Sequence, residues 1–184
     1  QLCSTAFLAL AMMISSASHG GAESPKPAVS ASGVIAVKSA YGVGETVERL
    51  KKDIAAKGIV FFQEIDQAAL AAKAGIELKP SILLIFGNPP LGTQFITANA
   101  NAGLDWPVRL LVTRDDKGNV WAVYTDFEWI ARRHRIKSRG PQFKMATTVV
   151  TSITSTVKCS ARDSIALRAV SASPALAARS RASR

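Results

Sequence analysis

Cysteine and histidine are scarce in this chain: 184 residues contain only Cys3, Cys159, His19 and His134. Cys3 falls in a segment expected to be removed, so the mature protein would hold one thiol and no internal disulfide, and stability must come from core packing. One mature Cys and one mature His also leave a Cys/His metal site without ligands; no zinc and no other cofactor is expected. Nor do they supply a nucleophile with its base and orienting group, which argues against acyl-transfer chemistry.

Charge is missing from the first 22 residues. The apolar run there, Leu2–Ile14 (LCSTAFLALAMMI), has thirteen residues, short of the roughly 20 that span a bilayer. Small polar residues follow, and Gly20-Gly21-Ala22 offers a small-x-small cleavage site before Glu23. This is the layout of a secretory signal peptide over residues 1–22, without its basic n-region; a buried N-terminal helix is the alternative. No Cys closes the apolar run, so a lipid anchor is not expected. Residues 23–32, containing SPKPAVSAS, read as a linker. The tail, 159–184, is mostly Ala, Ser and Arg; it buries too little apolar surface to offset its ordering entropy and is expected to be disordered, with a weak amphipathic helix at 164–170 as the alternative. The folded domain is therefore 33–158.

Within it, periodicity separates strands from helices. VIAVKS (34–39), IVFFQEI (59–65) and SILLIF (81–86) have strand length, and the last is apolar throughout, which predicts a central strand covered on both faces. Val47, Leu50 and Ile54 recur at helical spacing over 45–57, before the stop at Gly58. Asp66 reads as the N-cap of a short helix over 67–74. Strands at 108–113 and 120–125 flank RDDKGN, a connector with Asp/Gly hairpin chemistry. Residues 126–134 form a helical turn or two, and Phe143, Ala146, Val149, Val150, Ile153 and Val157 mark a last helix over 141–158.

The formal charge of +10 invites a nucleic-acid reading. Between residues 33 and 158 there are 17 Lys+Arg against 11 Asp+Glu, and Arg132, Arg133, Arg135, Lys137, Arg139 and Lys144 form the main cluster. Aromatic residues are not interleaved with it and no helix-turn-helix pattern occurs, so nucleic acid is not an expected partner. The cluster suits a solvated helix end, or a contact with an acidic surface.

The stretch IFGNPPLGTQF (85–95) spaces Gly87 and Gly92 like a phosphate-binding loop. The Lys such a loop requires is absent, Thr93 stands in its place, and Pro89 and Pro90 have no N–H to offer. Helix-start chemistry uses the same residues better. Asn88 is a preferred cap, Pro89 suits the first helical position, and Gly87 lets the chain turn out of the strand.

Taken with GETVERLKKDIAAKGIVFFQEID, LDWPVRLLVTRDDKGNVWAVYTD and IARRHRI, this stretch resembles the uncharacterised bacterial and archaeal family called domain of unknown function 302. The matching motif residues are Phe86, Gly87, Asn88, Pro89, Gly92, Thr93, Leu104, Asp105, Pro107, Tyr124, Arg133 and His134. The resemblance implies an α+β domain of TATA-binding-protein-like type: a single antiparallel-rich sheet in β-α-β-β-β-β-α order, helices on one face, short extra helices between strands, and commonly a homodimer. Gln67 stands where many relatives carry His, so a metal or acid/base role for that His does not transfer.

Asn88, Thr93 and Asp105 are the candidate ligand-binding residues, joined by Tyr124 and His134. Each has a plainer role: Asp105 as a turn residue, Tyr124 as strand packing, His134 as a helix end. The expected function is an exported binding module for a small polar or anionic ligand, without stable membrane insertion. The alternatives are an enzyme using Asp105, Tyr124 or His134 in proton transfer, or an envelope protein whose basic surface binds acidic partners.

Overall fold

A computed structural model describes residues 30–158. The expected signal segment, most of the linker, both cysteines and the tail lie outside the described residues. The elements are β1 (Val34–Lys38), α1 (Val43–Ala56), β2 (Val60–Asp66), α2 (Gln67–Lys73), β3 (Ser81–Gly87), α3 (Pro89–Ala98), a 3-10 turn (Ala100–Leu104), β4 (Val108–Arg114), β5 (Val120–Thr125), α4 (Phe127–Arg133) and α5 (Gly140–Ser155). The strands form one antiparallel sheet in the order β1-β5-β4-β3-β2, with helices on one side. This is the expected α+β class and element order.

Alternation along the strands sends Ile35 and Val37, Leu84 and Phe86, Leu110 and Val112, and Ala122 and Tyr124 to the helix side, where all are buried. Leu50 and Ile54 of α1 and Val150 and Ile153 of α5 complete the core. At roughly 1.5–3 kcal/mol for each large apolar side chain, burying this inner layer drives folding. The Phe95 and Phe143 rings stack 4.2 Å apart and join α3 to α5.

One expectation is corrected. SILLIF is β3, which lies next to the edge strand β2, and β4 holds the centre. Leu84 and Phe86 are buried, whereas Leu83 and Ile85 are only partly buried on the other face. Its apolar run arises because that outer face also carries apolar residues: Ala36, Val123, Leu111, Leu83 and Ile65 stand in register across all five strands.

Local chemistry sets the element ends. Asp66 and Asp126 accept backbone N–H bonds from Ala69 (2.8 Å) and Trp129 (3.0 Å), capping α2 and α4. In the β4–β5 connector, Asp115 accepts from the Asn119 side chain, the Trp121 indole and two backbone N–H groups. The Asn119 amide, then the Trp121 indole, hold its pKa down at about 2. Gly118 takes the left-handed φ of 81° that closes the turn.

Candidate functional site

At the end of β3 the polar groups of the glycine-rich stretch complete the start of α3. Asn88 Oδ1 accepts from the Leu91 N–H (3.1 Å), and the Thr93 hydroxyl donates to the Pro89 carbonyl (2.8 Å). The two glycines have another purpose. A Cβ on Gly87 would lie 2.0 Å from the Trp106 ring, and a Cβ on Gly92 would lie 2.1 Å from it. Neither distance admits a carbon atom, so the spacing that resembles a phosphate loop is a seat for an indole. Trp106, between Asp105 and Pro107, thus rests on both glycines of the other element.

Asp105 itself turns away from this corner. Its side chain is only 4% exposed and accepts from Arg109 (3.2 Å) and Arg133 (3.1 Å), while His134 Nε2 stands 2.6 Å from Oδ2. The His134 ring is 5% exposed, and its backbone carbonyl accepts from Asn99 Nδ2 at 2.8 Å. Arg109 also donates to the Leu104 carbonyl. A carboxylate so withdrawn from water is tolerable only when its oxygens are bonded, and here they are. These contacts fasten the turn before β4 to the C-terminal end of α4. Both arginines are about half exposed, so their Coulombic share is screened.

The five expected residues thus divide. Asp105 and His134 meet; Asn88 and Thr93 sit together on α3; Tyr124 joins neither group. Its hydroxyl is buried without a hydrogen bond of good geometry among the described residues. Burial pushes its pKa up, partly offset by the hydroxyls of Thr151 and Thr154 on α5. Among the described residues no three His, Cys, Asp or Glu side chains gather to hold a metal. Gln67 accepts from the Ser81 hydroxyl (2.7 Å), tying α2 to β3.

Beside Trp106 lies a cavity of about 560 Å³ between the ends of β3 and β4, α3 and α5. Phe86, Phe95, Trp106, Val108, Phe127 and Val150 make its apolar wall. Asn88, Gln94, Thr148 and Ser152 add neutral polar groups, Lys57 is the only ionisable side chain lining it among the described residues, and Met145 stands 58% exposed at the lip. Its size falls within the ~300–1,000 Å³ typical of small-molecule sites. Sequence reasoning missed all of these but Asn88, because a residue lining a cavity carries the same apolar pattern as one in the core. The paired glycines were the available sign that something large sits at this corner.

The fold is that of a five-stranded α+β sheet protein with one helical layer. The chain belongs to the family described as Domain of unknown function DUF302, whose model matches residues 35–157. It is similar to a crystal structure of an uncharacterized conserved DUF302 protein from Bacillus stearothermophilus, with a TM-score of 0.64 and 16% identity over 70% of this chain and 100% of that one. It is also 38% identical over 112 residues to proteins named fluoride-specific ion channel FluC 1 from Brucella suis biovar 1 (strain 1330) and Brucella abortus biovar 1 (strain 9-941). The match takes in 61% of this chain but 44% and 42% of those relatives, so the chain spans less than half their length. No helix among the described residues is long and apolar enough to cross a membrane.

Proposed function

We propose that this protein is an exported small-molecule binding module whose site is the cavity walled by Trp106. The observation that carries the reading is an apolar hollow of about 560 Å³ held open beside an indole that two glycines seat. An apolar hollow of that size with a few polar groups at its edge is the usual form of a small-molecule site. Of the residues expected from sequence, Asn88 belongs to this site. Thr93, Asp105, Tyr124 and His134 support the elements around it. Export rests on the uncharged, apolar N-terminal segment alone.

The test is a thermal-shift screen of the full chain and of Thr148→Trp, which places an indole at the cavity wall from an exposed position of α5. Compounds that raise the melting temperature of the parent should lose their effect on the variant. Equal shifts in both proteins would remove the cavity from the account.

A second reading draws on the relatives named fluoride-specific ion channels. In it this domain works at a membrane surface beside a channel-type partner, with the exposed Arg132, Arg135, Lys137 and Arg139 toward acidic groups. Cells lacking this chain should then tolerate less fluoride; unchanged tolerance would count against it. The homodimer expected from the family resemblance is carried as a proposal as well. Exposed Val60, Phe62, Leu70, Ile76 and Leu78 lie on β2, α2 and the link to β3, at one edge of the sheet, where a second copy would bury them. Light scattering of the parent and of Phe62→Asp tests it, with a dimer expected for the parent only.

A further inference from the structure

We propose that the cavity takes an apolar molecule that ends in one anionic group, such as a medium-chain monocarboxylate, with the charged end at Lys57. The inference rests on the reading of the cavity as the binding site and adds the class of ligand.

Three features of the wall select that class. Its bulk is aromatic and aliphatic, from Phe86, Phe95, Trp106, Phe127 and Val150, which suits a hydrocarbon or ring and rejects a compact polar ligand. Among the described residues the wall contains no Asp or Glu, so a ligand cation would enter without a partner there, at a cost in desolvation that an apolar wall cannot return. Among the described residues its single charged lining group is the Lys57 ammonium, at the C-terminal end of α1.

Lys57 is already bonded to Asp53 on its own helix. An ammonium has three N–H donors, and one carboxylate contact leaves others for a second acceptor. The pair is partly exposed, with side-chain exposures of 30% and 19%, so Lys57 lines the cavity and keeps contact with water. That is the position from which a long cation reaches an anion at the mouth of an apolar site. Asn88, whose Oδ1 caps α3 and whose amide N–H groups are not used by that bond, lines the same hollow and supplies a neutral donor for its second oxygen.

The experiment is isothermal titration calorimetry of the full chain with decanoate, decanol and decylammonium, below their micellar concentrations. These probes share a hydrocarbon chain and differ in end group. Decanoate should bind about tenfold or more tighter than decanol, the scale of one charge-assisted hydrogen bond, and decylammonium should bind weakest. Lys57→Gln should bring decanoate down to the affinity of decanol and leave decanol unchanged. Lys57 is at the surface end of α1, so the variant should melt with the parent. Thr148→Trp should abolish binding of all the probes.

Equal affinity for decanoate and decanol, or a preference that survives Lys57→Gln, overturns the ligand class and leaves the cavity reading standing. Absence of binding by all three probes likewise overturns the ligand class, whereas decanoate binding that Thr148→Trp does not affect overturns the cavity reading itself.

Discussion

Asp105 and Trp106 are neighbours in the chain and enter opposite kinds of environment. Asp105 is surrounded by Arg109, Arg133 and His134, and its carboxylate is filled with partners. Trp106 lies on two glycines and bounds a hollow. The polar neighbour is a fastening, complete within the chain. The apolar one lines the cavity, so under the proposed binding function Trp106 rather than Asp105 is the residue that would meet a ligand.

Removing the indole should have the largest effect on this contrast. Trp106→Ala is expected to cost about 3 kcal/mol, at the low end for a truncated aromatic because the ring is only half-buried. Urea unfolding of the full chain measures it; a loss below about 1 kcal/mol would mean that the ring is not seated. Gly92→Ala comes next. Helix propensity alone favours Ala over Gly by about 1 kcal/mol, whereas overpacking against the ring costs about 1–3 kcal/mol. Contact at 2.1 Å with a rigid ring decides the sign as destabilising.

On the polar side, Asp105→Ala should cost about 1–2 kcal/mol, since the half-exposed arginines can turn to water and the buried His134 loses its partner. Arg133→Ala should cost less than about 1 kcal/mol, being one exposed member of that set. If Arg133→Ala costs more than Asp105→Ala, the carboxylate is not the hub.

The smallest effect lies away from both residues and serves as their control. Asp115 has a folded pKa of about 2, below its ordinary 3.8, so the folded state favours its ionised form. Its contribution is present above pH 3.8 and is lost as pH falls through about 2. Melting temperatures of the parent should therefore drop more over that window than those of Asp115→Asn. Parallel curves would show that the connector is not held by its carboxylate.

Much of the fold was legible because strands and helices repeat at different periods, and caps such as Asp66 and Asn88 mark where helices begin. The helix from residue 140 was read correctly through its Thr- and Val-rich composition, since Phe143, Ala146, Val150 and Ile153 keep one face. The position of β3 was not legible. A run apolar on both faces looks the same whether the second face is covered by helices or forms the open side of a sheet. The site was legible only in parts. Asp105 and His134 were chosen separately for their chemistry, but a contact across 29 residues has no local pattern. Gly87 and Gly92 drew notice for their spacing, while the reason lay at Trp106, beyond any helix or strand period.

The central claim is that the two glycines exist to seat Trp106 and so to wall the cavity. A double-mutant cycle of Gly92→Ala with Trp106→Ala, followed by urea unfolding, tests it most directly. Gly92→Ala should destabilise the parent by about 1–3 kcal/mol and be neutral or stabilising, by up to about 1 kcal/mol, once the indole is gone. An equal loss in both backgrounds would contradict the account.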